Sequence, residues 1–226
     1  DLVIVSETRG EDANDVYLLN AKTGDMAPLL QPKVAANFSD FQWLADGSGF
    51  YLATNQGREF NAVAFYDLVS GQLRTLSATD ADADNVKLAG GGDLLLWTTN
   101  EEGYSKLQGV DLVTQQPMRL PKLPAGVYDI DVSTTGEVVS VNLNGPGTPG
   151  DVYVWSIGTP EQVDRIFAAS IGGLDPSTFV TPISLNYPAQ DGVQLQGLLY
   201  LPDAEIFAGK RPVVVQIHGG PTAQSR

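Results

Sequence analysis

The residues with the most chemical content are Pro212–Pro221, reading Pro-Val-Val-Val-Gln-Ile-His-Gly-Gly-Pro. Val213, Val214 and Val215 form an uninterrupted β-branched run. Such a run predicts a strand buried on both faces, as in a parallel sheet. It breaks at once into His218-Gly219-Gly220-Pro221. Two residues without Cβ let the backbone turn sharply and bring its N–H groups against a ligand. At the end of a buried strand, those N–H groups can meet the negative charge that develops on a carbonyl oxygen under attack. That is oxyanion stabilisation in acyl transfer. On these ten residues alone, the competing reading is a tight turn after a core strand.

Composition narrows the classes. The 226 residues can bury one large core or two smaller ones without staples. There is no cysteine, so neither a disulfide framework nor a thiolate metal site exists. His218 is the single histidine, which excludes a multi-histidine zinc site. No cofactor or metal is expected. The formal net charge is -14, from 13 Lys+Arg against 27 Asp+Glu. A surface of that sign repels phosphate backbones, and no basic stripe offsets it, so nucleic acid is not an expected partner. No apolar run approaches the roughly 20 residues that span a bilayer, so no membrane partner is expected. The chain opens on Asp1 without a signal pattern. A removed targeting segment stays open, as does the choice between cytoplasm and periplasm.

The elements that must position the loop are mainly β. Four segments resemble one another: Asp15–Gly24, Ala64–Gly71, Leu107–Thr114 and Asp151–Gly158. Each is a short β-rich run ending in a turn such as Lys-Thr-Gly or Val-Ser-Gly, followed by a second short apolar stretch. The copies recur at about 45 residues, the period of four-stranded propeller blades. Phe41–Ala53 supplies a strand, an Asp-Gly turn and a strand; 86–97 and 128–141 repeat that plan. The expectation is a partial β-propeller over 1–168, with blades at 36–78, 82–121 and 126–168. A partial blade at 1–31 lacks its first strand. A propeller that opens mid-blade cannot close its ring, so a piece of a longer protein is expected. Gly172–Ser177 reads as part of a linker over 169–178. Phe179–Tyr187 and Val193–Leu201 then read as a hairpin around Asp191-Gly192.

Tyr187–Pro202, reading Tyr-Pro-Ala-Gln-Asp-Gly-Val-Gln-Leu-Gln-Gly-Leu-Leu-Tyr-Leu-Pro, resembles the entry into the catalytic domain of the prolyl oligopeptidase family of serine peptidases. Pro212–Pro221 is similar to that family's oxyanion strand, in the form seen in acylaminoacyl-peptidase and dipeptidyl-peptidase relatives. The blade repeats are similar to its N-terminal domain. The resemblance spans the whole chain, and its specific part is the order of propeller, linker, Asp-Gly hairpin, buried strand and His-Gly-Gly-Pro. It implies a propeller capping an α/β-hydrolase domain, whose first strands fall at 179–226. It also implies hydrolysis of oligopeptides by a Ser–His–Asp triad.

The family's nucleophile lies on a Gly-x-Ser-x-Gly elbow downstream of the oxyanion strand. No such motif occurs here. By resemblance, Gly219 and Gly220 offer oxyanion N–H groups, His218 shapes the loop, and Pro221 fixes the backbone after the turn. The triad is expected outside these 226 residues. The remainder of the hydrolase domain, on the same chain or a second one, is then a partner. The oligomeric state, homo-oligomer or monomer, stays open. Two rival readings are a non-catalytic propeller that binds peptides or proteins, and an esterase or lipase using the same loop.

Other signals have plainer readings. Asp80-Ala-Asp-Ala-Asp84 has alternate carboxylates, but Asn85 and Gly91 stand where an EF-hand loop needs Gly and Glu. It reads as an acidic loop. Glu101-Glu102 resembles the acidic pair that holds the substrate amino terminus in dipeptidyl-peptidase relatives, yet sits in an ordinary turn sequence. Arg9 and Arg58 occupy matching turns, and Trp43, Trp97 and Trp155 fall in strands, where packing is the expected role. Residues 1–226 alone are expected to hydrolyse no peptide or ester. A turnover assay on the purified polypeptide, with contaminants excluded, checks this.

Overall fold

The computed structural model describes residues 2–220 and 223–226. Its strands form four antiparallel sheets in chain order, then a hairpin. The first sheet holds β1 (Leu2–Thr8), β2 (Asn14–Asn20) and β3 (Met26–Leu30). The second holds β4 (Phe38–Trp43), β5 (Gly49–Thr54), β6 (Ala62–Asp67) and β7 (Gln72–Ser77). The third holds β8 (Ala83–Ala89), β9 (Leu94–Glu101), β10 (Tyr104–Asp111) and the two-residue β11 (Gln116–Pro117). The fourth holds β12 (Val127–Val132), β13 (Val138–Gly145), β14 (Thr148–Ser156) and β15 (Val163–Phe167). Each four-stranded sheet is a simple meander, and β4, β8 and β12 lie side by side at the inner edges. These are the four-stranded antiparallel blades that the repeats call for.

The first sheet has three strands, and its register shows which one it lacks. In the complete second and fourth sheets, the ladder to the last strand slips once, at Val63/Ala64 and at Val152/Tyr153. The first sheet shows the same slip at Val16/Tyr17, between β2 and β3. Its strands therefore match β5, β6 and β7, and the inner strand is the absent one among the described residues.

The core lies in the seams between sheets. Successive side chains of a strand point to opposite faces, so a sheet covered on both sides reads as an apolar run. Thus Phe50 and Leu52 pack toward the first sheet while Ala53, from the same strand, packs toward the third. Leu95 and Leu96 divide the same way between the second and fourth sheets. Trp43 meets Phe50 edge-on, with centroids 5.2 Å apart, and Trp97 and Trp155 are buried. All three tryptophans serve packing.

The repeated turns have a shared mechanism. Asn20, Asp67 and Asp111 end their strands, and each side-chain oxygen accepts the N–H of the second and third residues beyond. The N–H donors, Ser70 first and Thr114 first, hold the Asp67 and Asp111 carboxyls below the usual carboxylate range. The fifth residue, Gly24, Gly71 or Gln115, then closes onto the carbonyl at 2.8–2.9 Å with a left-handed φ of 78°, 68° or 59°. Two copies use glycine, which meets no steric penalty there. The Gly145–Gly150 stretch, despite its three glycines and two prolines, is mostly strand, with β13 and β14 joined across residues 146 and 147.

After β15, Asp151 anchors the chain by accepting the Ala169 N–H at 2.9 Å and pairing with Arg165 at 3.2 Å. Asp175 caps a short 3₁₀ turn at Pro176–Thr178. The expected hairpin forms as β16 (Ile183–Pro188) and β17 (Gln194–Leu199), with its open end drawn in from Phe179 and Leu201 to Ile183 and Leu199.

Gly71→Ala forces a Cβ into the left-handed region and should cost about 1–2 kcal/mol, whereas Gln115→Gly relieves the same penalty and should be neutral to stabilising. Urea unfolding midpoints of the two variants check the opposite signs.

Candidate functional site

The Pro212–Gly220 segment departs from its expected form. No strand forms there, and Val213, Val214, Val215 and Ile217 are 83%, 91%, 76% and 87% exposed. The expectation of a strand buried on both faces is corrected. The cause is physical: a strand needs neighbours for its N–H and C=O groups, and no described strand pairs with this one. β-branched composition supplies the propensity but not the partner.

The turn itself has the backbone freedom that the glycines promise. Gly220 takes a left-handed φ of 76°, and a Cβ on Gly219 would meet open space. No described residue accepts a hydrogen bond from the N–H of either glycine. His218 is exposed, and its Nδ1 lies 3.4 Å from the Gly219 carbonyl, a long local contact. Pro221 lies outside the described residues.

Residues 223–226 run between the third sheet and the hairpin. Gln224 accepts from Asn100 at 2.7 Å and donates to Gln196 at 3.3 Å, while Arg226 lies 3.7 Å from Asp84. Beside them opens a cavity of about 270 Å³. Its walls are the β9–β10 turn at Glu102 and Tyr104, the β13–β14 turn at Asn144 and Pro146, and Leu198 and Tyr200 of the hairpin region. It suits one side-chain-sized group with mixed polar and apolar character. Sequence reading missed Tyr104, Tyr200 and Asn144. They come from three separate elements, and no local pattern links them.

The remaining candidates are separated. Glu101 pairs with Lys106 at 3.3 Å, and Glu102 sits left-handed in the turn at the cavity rim. Arg9 pairs with Asp15 at 3.0 Å, and Arg58 donates to the Thr79 carbonyl at 2.8 Å. Arg9 thus serves its own hairpin, and Arg58 ties the β5–β6 turn to the β7–β8 connection. In the acidic stretch, Asp82 accepts the Asn61 N–H at 2.8 Å and Asp84 faces Arg226. No group of three or more His, Cys, Asp or Glu side chains able to hold a metal occurs among the described residues.

No family model matches the chain. Among curated proteins, the uncharacterized peptidase YuxL of Bacillus subtilis (strain 168) is 23% identical over 172 residues, covering 69% of this chain and 26% of its own length. Among solved structures, a prolyl endopeptidase superposes with a TM-score of 0.72 at 18% identity over 86% of this chain and 28% of its own. Prolyl oligopeptidase B from Galerina marginata, bound to a 35mer hydrolysis and macrocyclization substrate, gives 0.72 at 16%, over 86% and 29%. A puromycin hydrolase gives 0.71 at 15%, over 88% and 32%. The chain thus spans between a quarter and a third of the length of these relatives. The resemblance read from the sequence is borne out: the sheets have the fold of the propeller portion of prolyl oligopeptidases, and the curated match is a peptidase.

In the isolated 226-residue polypeptide, the amides of Val213–Ile217 should exchange with solvent without protection, while those of Leu95–Thr98 stay protected. Residue-resolved hydrogen exchange checks the contrast.

Proposed function

We propose that this chain is part of a serine peptidase of the prolyl oligopeptidase family. Residues 1–168 are part of its β-propeller, 169–178 the linker, and 179–226 the first part of its α/β-hydrolase domain. The substrates are oligopeptides, and the propeller gates their access. The observation that carries this reading is one chain order. Antiparallel blades with the fold of prolyl oligopeptidases are followed by an Asp-Gly hairpin and then by Val-Val-Val-Gln-Ile-His-Gly-Gly-Pro. Neither a bare propeller nor a bare esterase accounts for both halves.

In this mechanism the serine of a triad outside residues 1–226 attacks the scissile carbonyl, whose oxygen gains negative charge. Gly219 and Gly220 aim backbone N–H groups at that oxygen, Gly220 foremost. One such donor contributes about 3 kcal/mol to the transition state, and more in a dry site than in water. His218 holds the loop and is not the triad base. Pro221 restricts the backbone after the turn. The valine run becomes a buried strand once the rest of the hydrolase sheet lies beside it, which carries the loop to a fixed position.

The full-length protein should react with a fluorophosphonate probe, gaining its mass at one serine, and should cleave peptides faster than simple esters. Gly220→Ala pulls the loop out of the left-handed region and should lower kcat by about 10²–10³-fold with little change in KM. Absence of probe labelling in the full-length protein would leave a binding propeller. Labelling with ester preference would leave an esterase.

A further inference from the structure

The residues that follow the His-Gly-Gly turn are tied down, although the run that precedes it is not. Val213, Val214, Val215 and Ile217 are exposed and lie in no sheet. On the other side of the turn, the Ala223 N–H reaches the Gly220 carbonyl at 3.5 Å, and a Cβ on Gly220 would touch the Ala223 methyl at 3.7 Å. One residue on, Gln224 Oε1 accepts from Asn100 Nδ2 at 2.7 Å, and Gln224 Nε2 donates to Gln196 Oε1 at 3.3 Å. Gln196 Nε2 in turn donates to Ser184 Oγ at 3.0 Å. A chain of side-chain hydrogen bonds thus runs from β9 of the third sheet, through residue 224, to both strands of the hairpin. Beyond it, Arg226 lies 3.7 Å from Asp84 of β8.

The β9–β10 turn is shaped to receive this segment. The Asn100 side chain has two functions there. Its Oδ1 accepts the Gly103 N–H at 3.1 Å, which closes the turn, and its Nδ2 is left to meet Gln224. Glu102 and Gly103 hold left-handed φ values of 55° and 85°. A Cβ on Gly103 would meet the Ser225 carbonyl oxygen at 3.7 Å and the Arg226 Cα at 3.9 Å, so the segment passes directly over this glycine. Gly103 is buried, whereas Gly57 in the β5–β6 turn is exposed. Turns that join strands ordinarily face water. This one is covered, and residues 224–226 are what covers it.

We propose that residues 223–226 form a strap that fixes the oxyanion turn from its C-terminal side, with Asn100 as the positioning residue that anchors the strap to the third sheet. The proposal rests on the reading of Gly219 and Gly220 as oxyanion donors. A backbone donor stabilises the transition state only when its N–H is already aimed at the oxygen's final position. Two adjacent glycines leave the backbone free to turn away. The valine strand restrains one side of the turn once its sheet neighbours lie beside it, and the strap restrains the other. Asn100 touches no reacting atom. It acts through Gln224 and Ala223 on the Gly220 carbonyl. Small displacements matter here, since a misplacement of about 1 Å can lower a rate about 10²-fold. Hydrogen bonds between neutral side chains are individually modest, so cutting the anchor is expected to lower the rate about 3–10-fold.

The test uses the full-length protein and compares the wild type with Asn100→Ser, Gln224→Ala, their double variant, Gln224→Glu and Lys106→Ala. Ser at position 100 keeps an oxygen that can accept the Gly103 N–H, so the turn still closes, but it is too short to reach Gln224. Asn100→Ser and Gln224→Ala should each lower kcat about 3–10-fold with KM unchanged, and the double variant should fall no further than either. An oligopeptide aldehyde, whose carbonyl carbon bonds the serine oxygen and leaves its own oxygen at the oxyanion position, should bind more weakly by the same factor. Gln224→Glu keeps the acceptor for Asn100 and should retain wild-type kcat. Lys106, which pairs with Glu101 on the same turn, should be replaceable by Ala without effect. Unchanged hydrogen-exchange protection at Leu95–Thr98 shows that the third sheet survives each substitution. Losses that add in the double variant, aldehyde affinity that stays constant, or an equal loss in Lys106→Ala would remove the strap. So would wild-type kcat in Asn100→Ser while the wild type is labelled by the fluorophosphonate probe. A wild type that takes no label removes the peptidase reading itself, and the strap with it.

Discussion

The structure depends on one constraint: each inner sheet is covered on both faces, so each strand must supply apolar side chains in both directions at once. β5 shows the consequence, sending Leu52 into one seam and Ala53 into the next. A slip of one residue would exchange the two faces and put a large side chain where an alanine fits. Register is therefore fixed by packing from both sides. The turns reinforce it, because an Asn or Asp oxygen at the strand end gathers the next N–H groups and returns the chain at a set length.

The same constraint explains why Val213–Val215 stays out of any sheet. Its side chains ask for cover on two faces and its backbone asks for partners on two edges, and neither is offered by any described strand. The glycine turn that follows keeps its local freedom regardless, because φ at Gly220 is a property of the missing Cβ. A loop of this kind positions an N–H only as firmly as the strand beneath it. The fold of the blades by itself defines architecture rather than activity.

Charge is distributed with similar logic. The chain carries a net charge of -14, yet the inner seams place carboxylates where backbone N–H groups, Lys87 and Arg226 meet them. The bulge at Asn85 converts a sheet irregularity into an inter-sheet contact, a hydrogen bond to the Tyr128 carbonyl that adds to the apolar packing of the inner strands.

The sequence by itself determined much of this protein. Its repeat spacing and turn residues prescribed four-stranded antiparallel blades, its Asp191-Gly192 marked the hairpin, and its tryptophans declared themselves as packing residues. These are local signals: a period of two, a turn that needs an Asx oxygen, a glycine that needs a left-handed φ. His218, Gly219 and Gly220 were equally legible as a turn. What only the tertiary structure decided depends on residues far apart in the chain. The valine run looked like a buried strand because propensity is local, but pairing is not, and no neighbour lies beside it. The cavity joined Tyr104, Asn144 and Tyr200 from three elements. Asn85 meets the Tyr128 carbonyl because a register shift, invisible in composition, turned it toward the strand of the next sheet.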